Sequence, residues 1–227
     1  MGADPLDNPV WSSLTGPHAG LAEIYGQARR YPDDLALFGA LPDNPGRRAW
    51  NDLAELAGAG TRIGLIGEAL EVPSGFEVGF RGAGVQLVAT GALAAEGSTE
   101  PMVLTDADQP EILELVERTA PGPFRPHTNR LGSYLGLRRH GRLVAMAGER
   151  LRPAGWTEIS AVCTDPAWRG QGLGTLLVRA VAAGILERGE RPLMHTAAEN
   201  LVAIRLYESL GFRVRRTVSI IGVRARA

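Results

Sequence analysis

The sequence predicts an α+β protein, a mixed and mostly antiparallel twisted sheet with flanking helices, and three observations predict it. Past residue 101 the apolar pattern reads strand, helix, three strands, helix, strand, helix, strands, which is not the regular alternation of a doubly wound fold. Two segments in that stretch carry apolar residues at helical spacing and end at glycines, Gly189 and Gly211. A glycine-rich connection over 169–175 joins a strand to the first of those helices.

Taken in order, residues Leu21, Ile24, Tyr25 and Ala28 have the spacing of an amphipathic helix, followed by a loop over 42–46 and a helical run over 52–56. Strand-like runs follow over 63–66, 76–80 and 85–90. The small, polar stretch over 96–101 is the best linker, so the chain divides into an N-terminal α+β region, 1–100, and a second domain, 101–227. The second begins with a strand over 102–105. Asp106 is then placed to cap a helix that carries Ile112, Leu113, Leu115 and Val116 on one face and stops by Pro121. Strands over 134–137, 143–149 and 156–164 form a meander through turns at His140-Gly141 and Pro153-Ala154-Gly155. A helix over 173–188, a strand over 193–196, a helix over 201–210 with Asn200 placed as its cap, and final strands over 212–223 complete the pattern.

Composition narrows the chemistry. The 24 basic and 25 acidic residues are dispersed, with no basic tail or patch to recruit nucleic acid. Every basic residue is Arg, which removes lysine chemistry and the Walker loop, and fits a GC-rich bacterial genome. Cys163 is the only cysteine, so neither an internal disulfide nor a thiolate metal cluster is available, and His18, His127 and His140 show no ligand spacing. No apolar run is long enough to span a bilayer, and the first residues lack a signal-peptide pattern; the expectation is a cytoplasmic protein without a metal.

The strongest local signal is Arg169-Gly170-Gln171-Gly172-Leu173-Gly174-Thr175 at the start of a helix. Successive N–H groups there, with the positive end of the helix dipole, suit a pyrophosphate, and Arg169 adds a charge-assisted contact. The glycines alternate, unlike the dinucleotide fingerprint. The stretch from Val162 through Asp165-Pro166-Ala167-Trp168-Arg169 to Gly174 resembles the pyrophosphate-binding motif of the GNAT acyl-CoA N-acyltransferases. Asn200, Ala203-Ile204, Leu206-Tyr207 and Leu210-Gly211-Phe212 resemble that family's following helix and turn. The resemblance spans 102–227, is similar in detail to the glycine N-acyltransferase-like branch, and makes a worn GNAT-like half the expectation for the first region.

The resemblance implies a GNAT fold, acetyl-CoA as cosubstrate, and transfer of an acyl group to an amine on a small molecule or peptide. It implies that Val162, Cys163 and Thr164 offer backbone groups to the pantetheine arm, that Asn200 bonds it, and that Tyr207 is the acid beside the leaving sulfur. Seven residues, close to two helical turns, put Asn200 and Tyr207 on one face. Glu158 is the preferred base, because alternation sets it on one strand face with Ser160, Val162 and Thr164, and burial would raise its pKa; Glu149, Glu199 and His195 stay open as alternatives. Cys163 reads as a small core residue rather than a nucleophile. An acyl-CoA-binding sensor without turnover is the second reading, and the oligomeric state is left open.

Overall fold

A computed structural model describes residues 4–68, 70–95, 97 and 100–226. An eight-stranded sheet runs in the order β4 (Arg62–Gly67), β11 (Phe212–Ala225), β5 (Phe76–Ala89), β10 (Arg191–Ala197), β9 (Trp156–Thr164), β8 (Arg142–Glu149), β7 (Tyr134–Arg139) and β6 (Met102–Val103). All neighbours are antiparallel except β9 and β10. A small sheet of β1 (Glu23–Tyr25), β2 (Ala28–Arg30) and β3 (Gly39–Ala40) lies beside it, with α1 (Pro9–Thr15) and α2 (Arg47–Ala57).

Helix α4 (Leu173–Glu187) lays Leu177, Val178, Val181 and Ile185 on Ala145 and Ala147 of β8, Ile159 of β9 and Met194 of β10. On the other face of β8, Met146 joins Ile112 and Leu115 of α3 (Gln109–Thr119). Helix α5 (Leu201–Ser209) begins at Asn200, whose Oδ1 accepts the Ala203 N–H at 3.2 Å, as the sequence leads one to expect. Gly211 ends it at φ 101°, a conformation that keeps a side chain out; an added Cβ would stand 2.6 Å from the Ala92 oxygen.

The structure departs from the sequence reading in four places. Residues 21–28 form no helix: Gly26 turns the chain at φ 51°, the Asp52 carboxylate accepts the Gln27 N–H at 2.8 Å, and β1 pairs with β2 across the turn. The runs at 76–80 and 85–90 are one strand of 14 residues, because β11, equally long, pairs with it throughout. Asp106 is not the cap; Thr105 accepts the Ala107 N–H while Asp108 accepts the Thr105 N–H, a capping box that leaves Asp106 to an ion pair with Arg130 at 2.9 Å. Finally, the division at residue 100 does not separate two sheets. Strand β5 lies between β10 and β11, so elements from both sides of that boundary alternate in one sheet. Of the linker stretch, Glu96, Ser98 and Thr99 lie outside the described residues, as do residues 1–3.

Interleaving of this kind makes residues 101–227 dependent on β5 for the backbone partners of both β10 and β11. A chain of 101–227 expressed alone is expected to show no cooperative urea unfolding transition, whereas the full chain shows one; circular dichroism during titration checks this.

Candidate active site

Strands β9 and β10 pair in parallel only from Trp156 to Glu158, against Arg191 to Leu193. Beyond Glu158 they part. A bulge accompanies the parting: Ser160 pairs with Gly148 and Cys163 with Met146, which leaves Ala161 and Val162 together opposite Ala147. Ala161 sits at φ 52°, a left-handed conformation that costs an alanine about 1 kcal/mol. The gap becomes a cavity of about 980 Å³.

Of the residues the sequence singled out, Val162, Cys163 and Thr164 line this cavity from β9, and Asn200 and Tyr207 line it from α5 and its cap. Arg169, Gly170, Gly172, Leu173, Gly174 and Thr175 line it from the loop and the start of α4; Gln171 does not, and is exposed. Gly170 and Gly172 have φ 78° and 76°, and an added Cβ at either would meet nothing, so the loop needs glycine for backbone conformation rather than for space. Gly172 occupies the N-cap position of α4 without a side-chain cap, which leaves the first-turn N–H groups of a 15-residue helix facing outward. The loop is braced from behind: Asp165 accepts the Ala167 N–H at 3.0 Å and the Arg118 Nε at 3.0 Å, and Arg169 Nε donates to the Thr164 oxygen at 3.3 Å.

Glu158 does not face the cavity. It is fully buried, with Oε2 accepting from Arg150 Nε at 2.9 Å and from the Leu151 N–H at 3.2 Å, and Oε1 accepting from Arg150 Nη2 and His195 Nδ1, each at 2.8 Å. Burial alone would raise its pKa, but the Arg150 guanidinium and the hydrogen bond from His195 outweigh it and hold the carboxyl well below the usual range. The expectation of a raised pKa is therefore corrected. The bulge also cancels the alternation argument: Ile159 and Val162 pack with the α4 cluster while Ala161 and Cys163 pack with α3, so Glu158 and Val162 do not share a face.

His195 and Arg150 do line the cavity. Gln86 fixes the imidazole tautomer, since its Oε1 accepts from Arg215 at 3.0 Å and its Nε2 donates to the Leu6 oxygen at 2.9 Å. It therefore presents an N–H to His195 Nε2 at 3.1 Å, making that nitrogen the acceptor and Nδ1 the donor to Glu158. Sequence reasoning missed Arg150 and Gln86. Gln86, polar between Val85 and Leu87 in an apolar strand, was a visible signal; Arg150 was hidden among 24 arginines.

Two further groups stay protonated. Burial alone pushes the Tyr207 hydroxyl up to about 12, and burial, only partly opposed by a hydrogen bond with Thr119, pushes the Cys163 thiol up to about 11. Because the Glu158 pKa is depressed on folding, the stability it contributes is present above the unfolded value of 4.5 and is lost as pH falls below it. Replacing Glu158→Gln leaves Arg150 buried without an anion, an expected cost of about 3–5 kcal/mol by chemical denaturation at pH 7, with a shallower loss of stability below the carboxylate range than in the parent.

Comparison with known proteins places these features in a family. A family model described as FR47-like protein matches residues 134–220. The crystal structure of a GNAT-family protein from Novosphingobium aromaticivorans DSM 12444 is 39% identical, covers 99% of this chain and 100% of its own, and superposes with a TM-score of 0.91. The N-alpha-acetyltransferase RimI of Mycobacterium tuberculosis is 33% identical over 51% of this chain and 80% of its own length. Mycothiol acetyltransferase of Thermobispora bispora is 42% identical over 64 residues, 28% of this chain but only 21% of that relative's length. These comparisons lend no support to the glycine N-acyltransferase-like branch. The chain, carrying the GNAT fold over its whole described length, belongs to the GNAT family of acetyltransferases and is an acyltransferase.

Proposed function

We propose that the protein transfers an acetyl group from acetyl-CoA to a primary amine by direct attack of the amine on the thioester carbonyl. One observation carries this: a single cavity joins an uncapped, glycine-opened helix N-terminus to a strand edge released from its neighbour. GNAT acetyltransferases use acetyl-CoA, and the residues here fit it. The first turn of α4 and Arg169 suit the pyrophosphate. The β10-facing edge of β9 past Glu158 leaves backbone groups for the amides of the pantetheine arm, and Asn200, its Oδ1 spent on the helix cap, keeps Nδ2 to donate.

The chemistry needs a proton removed from the amine and one supplied to the departing thiolate. Tyr207, protonated far above neutral pH, suits the second role. For the first, neither Glu158 nor His195 is assigned: His195 Nε2 accepts from Gln86 and Nδ1 donates to Glu158, whose oxygens are themselves committed, so the amine proton passes to water. Cys163, held as a thiol, is a poor nucleophile, which supports direct transfer over an acyl-enzyme. The relatives' names favour acetyl as the group moved and leave the acceptor between a small molecule and a peptide terminus.

Thiol release from acetyl-CoA with an amine acceptor tests the reading. Tyr207→Phe is expected to lower kcat by about 10²-fold with CoA affinity unchanged by calorimetry, and Cys163→Ala to keep the parent rate within about threefold. Gly172→Glu puts a carboxylate where pyrophosphate would sit and is expected to abolish CoA binding. Tight CoA binding without thiol release over a broad amine panel would instead favour a sensor.

A further inference from the structure

The far end of the cavity is walled by residues that no motif singled out. The loop at 169–175 follows Thr164, whereas Arg150 and His195 gather at Glu158, about 20 Å away along β9. Phe38, Ile66, Phe80 and Ile220 line the cavity with Arg150. Ile66 and Ile220 face each other across β4 and β11, Phe80 is 58% exposed, and the Arg150 guanidinium lies 4.8 Å from the centre of the Phe38 ring.

The electrostatics of this end are one-sided. Among the described residues lining the cavity there is no Asp or Glu, and the arginine at this end is Arg150, paired from behind with Glu158. The nearest carboxylate, Glu158, has both oxygens committed. Arg150 gives Nε and Nη2 to Glu158, and its Nη1 has no hydrogen-bond partner among the described residues although Arg150 is only 8% exposed.

Resting on the acetyl-transfer reading above, we infer that the acceptor is a primary amine borne on an aromatic or branched apolar group, with a carbonyl or carboxylate oxygen beside the amine and no second cation. The apolar group gains by leaving water against Phe38, Ile66, Phe80 and Ile220. The oxygen accepts from Arg150 Nη1, the guanidinium nitrogen that makes no hydrogen bond to the described residues. A second ammonium would lose its hydration next to Arg150 with no counter-ion to replace it. A free amino-acid derivative and the N-terminal residue of a peptide share this chemistry.

The test uses the full chain and acetyl-CoA, with thiol release read for leucinamide, glycinamide, isopentylamine, spermidine and the peptide Leu-Gly-Gly-amide, and CoA binding measured alongside by calorimetry. Leucinamide is expected to exceed glycinamide in kcat/KM by about 10- to 100-fold and isopentylamine by about tenfold, with spermidine not turned over. Whichever of leucinamide and the peptide turns over faster identifies the source of the amine. Phe80→Asp, at the exposed rim, is expected to bring the leucinamide to glycinamide ratio towards one and to admit spermidine. CoA binding accompanied by equal rates on leucinamide and glycinamide, or by preference for spermidine, would overturn the acceptor inference and leave acetyl transfer standing. Absence of CoA binding, or CoA binding with no transfer to any probe, would instead overturn the functional reading on which it rests.

Discussion

The buried cluster of Glu158 with Arg150 and His195 is the constraint on which the site depends, because it stands where β9 and β10 stop pairing. Glu158 is the last residue of β9 in register with β10, and its carboxylate binds a side chain just past β8 and another on β10. It therefore straps three strands together at the vertex from which two of them diverge. Without such a strap, the released strand edge beyond it would gain by closing onto its neighbour, since unpaired backbone groups in an interior are costly. A buried ion pair is tolerable only when its hydrogen bonds are filled, and here every contact of the carboxylate is a bond from a charged or backbone donor or from an imidazole N–H.

From that vertex the cavity extends in two directions with different chemistry. Towards Thr164 the backbone opens and the α4 N-terminus offers N–H groups, an environment for phosphates and amides. Towards Phe38 the walls are apolar and hold Arg150, with no Asp or Glu among the described residues that line the cavity. Phe38, Ile66 and Phe80 supply part of that second wall, and β5 also supplies Gln86, which holds His195 in one tautomer. Residues on the N-terminal side of position 100 thus line the cavity as well as join the sheet.

Legibility in the sequence followed the range of the interactions. The loop from Arg169 to Thr175 was readable because its glycines, helix start and preceding strand lie within a few residues of one another. Asn200 as a cap and the meander turns were readable for the same reason. Glu158 was misjudged because one extra residue at Ala161 and Val162 breaks the two-residue period, and nothing local in the sequence announces a bulge at an alanine. The helix expected over 21–28 failed because the spacing of Tyr25 and Ala28 also fits a tight hairpin, and Asp52, distant in sequence, settles the turn. The place of β5 between β10 and β11 depends on pairings across more than a hundred residues, which periodicity does not encode.

On the proposed reading, acetyl-CoA binds in the wedge between β9 and β10 and against the loop at 169–175. Amide hydrogen exchange, read with and without CoA, is the measurement that decides this. Slower exchange confined to residues 159–164 and to the loop and first turn over 170–176 is the result predicted. Unchanged exchange there, or protection centred elsewhere in the chain, would contradict it.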